Sequence, residues 1–505
     1  MSERQRLGVQ DALWLEMDKP GNLMVVDSLF WTAEPIDWDR YRDATKERLW
    51  DRFPVFRSVV VRSEDGGWWW EEQPDADFED RYERVVLAEP GGDVELQELI
   101  ASQRTVPLDR SEPLWRAVLV DGFHGGSAVL FRAHHAIADG IRMVQLSLSV
   151  FDTNPDGAAA LRRTRRQPQR PAPSSAPAGS PPAPSRAPLT SQVLSQATTV
   201  ASTSLQLAHS AVTNPVGAAH SALTISESLA GSVGSRARSA LGALGRPGLP
   251  SVLAGVPGDV DTFRKLVLGT RNDNTCWTGT VGEHKAIAWS PAIPLDDVKA
   301  TAHANAATVN DVLVTCVAES LRAYLEQHQA VCHGVTWDVP VNLKPFDATL
   351  PLELGNSFAL VQLELPTNID DPVRTLEVVR RRMGRIKRGH EAVVDFGVQA
   401  VISRMSKRLY RTSIDVLANR AIGVLTNVPG PQVPLYVAGQ KVEGMMGWAP
   451  LTADQVMSFT IYSYDGKVFV GIAADAGLVP DHEQIVAGFA DAFRRLKLLT
   501  ATRGG

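Results

Sequence analysis

Between Arg162 and Pro188 the chain cannot build a core. A basic run (Arg162, Arg163, Arg165, Arg166, Arg170) leads into PAPSSAPAGSPPAPSRAP, where almost no side chain is large enough to bury. Such a stretch cannot recover by apolar burial the entropy lost on ordering, so it is expected to be an extended or disordered linker. Whatever folds must do so in blocks on either side of it. The boundaries read as a first block over 1–160, a Pro/Ala/Ser-rich insert over 161–260 and a second block over 261–505. Inside the insert, Val193, Leu194, Ala197 and Val200 keep helical spacing, and Pro215 and Gly217 interrupt the next such pattern; two or three weak helices are expected there.

Charge and cysteine usage narrow the function classes. A formal net charge of −6 argues against a nucleic-acid binder, whose footprint is basic. Cys276, Cys316 and Cys332 are odd in number, far apart and without CxxC spacing. Neither a disulfide framework nor a structural zinc site is expected, and a reducing cytoplasm fits. The opening residues are polar and charged, unlike a signal peptide. No run of about eighteen apolar residues occurs, so no membrane-spanning helix is expected. The arginine run and the weak helices beyond it read either as a contact with an anionic lipid surface or as a solvated linker.

Both blocks mix strands and helices. In the first, Trp115–Gly122 and Ser127–His135 flank Gly125 and Gly126 and read as a hairpin. After Gly140, the residues Ile141, Val144, Leu148 and Phe151 fit one helix face. In the second, HKAIAWSP reads as a strand and Leu295–Ala302 as a helix. A long helix follows, with Thr308 as N-cap, Asp311 as capping-box acid, and Val312, Leu313, Cys316, Val317, Leu321, Tyr324 and Leu325 as its apolar stripe. MSFTIYSYDGKVFVGIAAD reads as a hairpin turning at Asp465-Gly466. The class is mixed α/β (α+β) with antiparallel sheet.

The chemistry-bearing segment is His134-His135-Ala136-Ile137-Ala138-Asp139-Gly140. Two adjacent histidines at a strand end point in opposite directions, so only one can face a cleft. An imidazole is suited to removing a proton from an alcohol near neutral pH. Asp139 can fix the loop or a histidine ring, and Gly140 tolerates the sharp entry into a helix. No third partner at metal-ligand spacing accompanies them, so no metal site is expected. Trp68, Trp69 and Trp70 read as a strand with one buried face. His303, His328, His333 and His390 read as surface residues. Val394-Asp395-Phe396-Gly397 carries no assignment.

HHAIADG resembles the HHxxxDG motif shared by CoA-dependent acyltransferases and nonribosomal peptide condensation domains. Further features resemble the bacterial wax ester synthase/diacylglycerol acyltransferases in particular. Pro113-Leu114-Trp115 is similar to that family's PLW, and LGVQDALWLEMDKPGNLMVV to its opening, with Asp11, Ala12, Pro20 and Met24 in matching places. Asn310-Asp311 is similar to its ND motif, and Pro340–Pro345 (PVNLKP) to its PVSxR-like strand end. Gly355-Asn356 with Leu365-Pro366 is similar to its GN…LP segment, Asn427–Pro431 to its NVPGP run, and Ser463-Tyr464 with Asp475 to its closing strand pair. The resemblance spans nearly the whole chain except roughly 160–260. Arg142, Asn342, Leu343 and Lys344 depart from the family pattern, which bears on substrate preference.

The resemblance implies two chloramphenicol-acetyltransferase-like domains around a central tunnel. It implies transfer of a fatty acyl group from acyl-CoA, as co-substrate, to diacylglycerol or a long-chain alcohol, giving triacylglycerol or wax ester. His135 is then the base, with His134, Asp139 and Asn310 as its catalytic partners. Gly140, Asp311, Pro113, Leu114 and Trp115 are expected beside substrate. Asn310 would donate to the oxyanion, or Asn310 and Asp311 would only cap their helix. No cofactor is expected, because the thioester is already activated. The enzyme would be cytoplasmic, with peripheral contact at the inner membrane or lipid inclusions. The alternatives are a condensation-type enzyme, a polyketide or glycolipid acyltransferase with a carrier-bound donor, and a non-catalytic lipid-inclusion protein.

Overall fold

The computed structural model of the chain describes residues 4–64, 66–156, 275–342, 354, 358–388 and 418–503. The Pro/Ala/Ser insert and its weak helices, Leu343–Pro345, Gly355-Asn356, Val394–Gly397 and His390 lie outside the described residues.

In the first half, β1 (Arg4–Arg6), α1 (Val9–Met17) and β2 (Val25–Thr32) precede α2 (Trp38–Thr45) and a π-turn over Lys46–Trp50. Then come β3 (Ser58–Arg62), β4 (Trp68–Glu72), β5 (Tyr82–Val86), α3 (Asp93–Gln103), β6 (Trp115–Phe123), β7 (Gly126–His134) and α4 (Gly140–Val150). The expected hairpin is β6–β7, and its turn is centred one residue early. His124 and Gly125 take the left-handed conformations (φ 49° and 83°), while Gly126 already belongs to β7. Trp70 is the buried member of the tryptophan run, as the period-two pattern requires.

In the second half, β8 (Lys285–Trp289), β9 (Ile293–Pro294), α5 (Leu295–Ala304), α6 (Val309–Gln327), β10 (Gly334–Asn342), β11 (Phe358–Pro366) and α7 (Pro372–Arg388) are followed by β12 (Gly423–Pro429), β13 (Tyr436–Val437), β14 (Gln440–Trp448), β15 (Met457–Tyr464), β16 (Lys467–Asp475) and α8 (Glu483–Arg503). The β15–β16 hairpin turns at Asp465 (φ 45°) and Gly466 (φ 73°), a turn whose twist suits a two-residue connection. α6 starts on the anticipated capping box: the Thr308 hydroxyl accepts from the Asp311 N–H (3.2 Å), and Asp311 accepts from the Thr308 N–H (2.9 Å). Its apolar stripe is buried, but so are Thr315, Glu319 and Arg322 on other faces. Glu319 accepts a hydrogen bond from the Thr375 hydroxyl of α7 (2.7 Å), which offsets the cost of burying a carboxylate.

The strands form one small sheet, β1-β4-β3, and two large ones. The first large sheet runs β13-β14-β2-β7-β6-β5, the second β11-β10-β12-β15-β16-β8, with β9 beside β16. The halves are therefore interlocked. Residues 436–448, late in the chain, complete the first half's sheet, with Met446 opposite Leu29 and Trp448 opposite Asp27. Tyr464 holds the crossing in place: its hydroxyl accepts from the Leu435 N–H (2.8 Å) and donates to the Val442 carbonyl (3.0 Å). One apolar core consequently contains Leu119, Phe131 and Leu146 together with Val442, Trp448 and Phe469. A second core packs α6, α7 and α8 onto the second sheet.

Candidate active site

Every residue of β7 is buried, and the strand delivers the histidine pair to the edge of a cavity. The backbone there is held on both sides. The His134 N–H donates to the Leu114 carbonyl (2.9 Å), and the His135 N–H to the Met24 carbonyl (2.8 Å). The two rings then diverge, as alternation demands. His134 is 1% exposed; its Nδ1 accepts from the Ala136 N–H (3.0 Å) and its Nε2 faces Asp18 at 3.4 Å. The His135 ring lines the cavity, with the ring of Trp14 against it at a centroid distance of 4.4 Å.

Asp18, just past the end of α1, gathers several donors. Its carboxylate accepts from the Met24 N–H (2.6 Å) and from Arg110 (3.3 Å), besides facing His134. Burial pushes this carboxyl up, but His134, the Met24 N–H and Arg110 outweigh burial and hold it below its ordinary value. Asp139 caps α4, accepting from the Arg142 N–H (2.9 Å) through Oδ1, and also reaches the cavity wall. Gly140 opens the helix at the cavity mouth, where it is exposed.

The cavity holds about 330 Å³ and is walled by both halves. The first half contributes Trp14, His135 and the inner face of α4. The β14 strand contributes Met445 to Trp448, and the second half Thr426 to Pro429, Thr460 and Tyr462. Asn427 donates to Oδ1 of Asn310 across 2.6 Å, joining β12 to the first turn of α6. Asn427 also lines the cavity, and its amide carries a second N–H group. Donors of this kind can stabilise charge developing on a carbonyl oxygen.

The sequence profile of the wax ester synthase/diacylglycerol acyltransferase catalytic domain matches residues 7–313, and that of the family's C-terminal domain matches 354–497. The chain belongs to the wax ester synthase/diacylglycerol acyltransferase family. It is thus an acyltransferase. A probable diacylglycerol O-acyltransferase of Mycobacterium tuberculosis is 26% identical over 86% of this chain and 82% of its own length. The O-acyltransferase WSD of Acinetobacter baylyi is 23% identical over 94% of this chain and 93% of its own. Among solved structures, the wax ester synthase/diacylglycerol acyltransferase of Marinobacter aquaeolei VT8 superposes with a TM-score of 0.64, at 18% identity over 98% of this chain and 100% of that one. The first condensation domain of the CDA synthetase superposes at 0.56, at 14% identity over 98% of this chain and 96% of that one, so condensation domains share the fold. The family match decides between them in favour of ester formation.

Within this family member, His135, Asp139 and Gly140 share the cavity, and Asn310 is joined to it through Asn427. His134 points away, into the Asp18 cluster. Asp311 is spent on its capping box and is 3% exposed. Pro113, Leu114 and Trp115 are absent from the cavity wall; Leu114 and Trp115 are fully buried, and Trp115 donates to the Phe56 carbonyl (2.7 Å) while stacking on Phe131. None of these four side chains is in the cavity lining among the described residues, and each is enclosed by its own half. The PLW segment instead serves the motif through the Leu114 carbonyl. Trp14, Asp18 and Asn427 went unassigned in the sequence. Asn427 stands inside the NVPGP run, and that run was the one signal pointing to it.

Proposed function

We propose that this acyltransferase moves a fatty acyl group from the sulfur of acyl-CoA to the hydroxyl of diacylglycerol or a long-chain alcohol, with His135 as general base. The observation that carries the reading is the His135 imidazole at the wall of a largely apolar cavity shared by both halves. A ring nitrogen of His135 takes the hydroxyl proton as the oxygen attacks the thioester carbonyl. The tetrahedral oxyanion collapses, the C–S bond breaks, and the departing thiolate takes the proton back from the imidazolium. Ester and free CoA result, and the scheme calls for no metal or cofactor. Trp14 favours the transiently cationic ring through its aromatic face. Asn427, aligned by Asn310, supplies a donor to the oxyanion. His134 and Asp139 act as positioning residues.

The relatives' names support both acceptors, as triacylglycerol or wax ester products. Both substrates partition into lipid, which supports a cytoplasmic enzyme working at a membrane or inclusion surface. No helix among the described residues is long and apolar enough to cross a membrane. Deleting 162–186 and measuring liposome flotation tests the arginine run; reduced flotation is expected. The central test supplies palmitoyl-CoA with dipalmitoylglycerol or hexadecanol and follows CoA release. Turnover is expected with at least one acceptor, and His135→Ala should cut it by about 10²–10⁴-fold. A well-folded His135→Ala chain with near-normal turnover refutes the assignment.

A further inference from the structure

We propose that the two halves share a binding site for one monatomic anion, chloride in the first place, in a small pocket lined by Arg104 and Lys285. The pocket shares no lining residue with the catalytic cavity, so the inference stands whichever acceptor the enzyme takes.

Strand alternation separates the two sites. Val26, Ser28 and Phe30 of β2 line the catalytic cavity, while Val25 and Asp27 line a second pocket of about 20 Å³ on the other face. Arg104, which ends α3, joins them from the first half; Lys285 of β8, Leu451 and Ala473 of β16 come from the second. Charge here is removed from water: the side chains of Asp27, Arg104 and Lys285 are 2%, 8% and 8% exposed.

The charges do not balance. Asp27 is shared by two arginines, Arg104 on Oδ2 and Arg132 on Oδ1 (3.0 Å). Arg132 is 1% exposed, and its Nη2 has no hydrogen-bond partner among the described residues. Lys285 donates to Asp475 (3.3 Å) and to the Gly282 carbonyl (3.0 Å). Asp475 in turn accepts the N–H groups of Gly282 (2.7 Å), Gly477 and Leu478 (both 3.1 Å), so much of its charge is already met. Three cations thus meet two carboxylates, an excess of one positive charge. Burial pulls Arg104 below its ordinary value; Asp27 opposes this and Arg132 adds to it. Lys285 is lowered by burial too, against the pull of Asp475.

A buried charge without a counter-charge is costly, and one small anion removes the excess. Size selects which. About 20 Å³ is room for a single water-sized body, so a halide fits, whereas phosphate or sulfate, with four oxygens on one centre, does not. Arg104 and Lys285 supply N–H donors from opposite halves, so the bound ion ties α3 to β8.

The test follows Tm of the full chain in sodium chloride against sodium gluconate at one ionic strength. Tm should rise with chloride and level off, by about 3 °C when chloride stands 100-fold above its Kd. Bromide should replace chloride, and crystals soaked in sodium bromide should show an anomalous peak beside Arg104 and Lys285. Arg104→Met leaves one arginine per carboxylate and should abolish the chloride dependence. If that chain does not fold, Lys285→Met decides, because Asp475 keeps its three backbone donors. Equal Tm in chloride and gluconate overturns the proposal, as does a chloride effect that survives in the folded variant. A bromide peak without a chloride effect on Tm is binding at crystal concentration only, and overturns it as well.

Discussion

Nε2 of His134 faces Oδ2 of Asp18 at 3.4 Å, while Nδ1 on the same ring accepts the Ala136 N–H at 3.0 Å. The Ala136 N–H occupies the Nδ1 lone pair, which leaves Nε2 as the nitrogen turned to Asp18 with a proton. Asp18 also holds Met24, whose carbonyl takes the His135 N–H. A single carboxylate thus adjoins the His134 ring directly and the His135 backbone through Met24.

Asp18→Asn should therefore lower kcat more than it changes KM. An amide N–H turned toward Nε2–H sets donor against donor, and the opposite tautomer would lose the Ala136 bond. The acid limb of stability changes as well. The folded Asp18 carboxyl lies below the ordinary value of about 3.9. Its stabilisation is complete above that value and is lost as pH falls through the folded value. Urea unfolding between about pH 2 and 6 should show a shallower acid loss in Asp18→Asn than in the unaltered chain; identical slopes would remove the role.

Asp139 should answer to shape more than to charge. Its Oδ1 caps α4, and losing such a cap costs about 0.5–2 kcal/mol. Asp139→Ala is expected to lower Tm and activity together, because α4 carries part of the cavity wall. Asp139→Asn keeps an equivalent capping oxygen and should hold Tm near that of the unaltered chain. Full stability with lost turnover in Asp139→Asn would instead assign the carboxylate a chemical part.

Asn310 and Asn427 should behave as one unit. Removing an oxyanion donor costs about 2.7–4 kcal/mol of transition-state stabilisation, so Asn427→Ala is expected to lower kcat by roughly 10²–10³-fold. Asn310→Ala frees the Asn427 amide to turn and should cost a similar amount, with the double variant little worse than either. Asn310→Asp keeps the accepting oxygen and should restore most of the loss. Additive effects in the kcat cycle would separate the pair.

What the sequence discloses tracks how local each cause is. The Asp465-Gly466 turn, the Thr308–Asp311 box and the strand–HHAIADG–helix order are written within a few neighbouring residues, and the structure contains all three. The all-round burial of α6 has no local signal: the apolar stripe marks one face, and Glu319 is covered only where Thr375 of α7 reaches it. The divergence of His134 from His135 follows from strand alternation, but the neighbour that adjoins the ring turned from the cavity, Asp18, stands over a hundred residues earlier. PLW was legible as a family mark, and the structure places Leu114 and Trp115 in the core, since a short apolar motif at a strand start is equally a core signal. Least legible was the crossing of residues 436–448: no local signal links Met446 to Leu29, its partner across more than 400 positions.

That crossing depends on a missing side chain. Gly444 pairs with Trp31 across β14 and β2, and a Cβ at Gly444 would lie 2.1 Å from the Trp31 ring. The indole fills that space and reaches Phe469 of the second sheet, edge-on at 5.3 Å, so one ring spans the two halves. Gly444→Ala forces the ring aside, and overpacking of this kind costs about 1–3 kcal/mol. Because β14 goes on to form the cavity wall from Met445 to Trp448, turnover should fall along with Tm. Shrinking the partner with Trp31→Leu in the Gly444→Ala background should recover part of both. A Gly444→Ala chain with unchanged Tm and unchanged kcat would mean that the strand crossing is held by its backbone ladder and the Tyr464 hydroxyl, with the Gly444–Trp31 contact adding nothing.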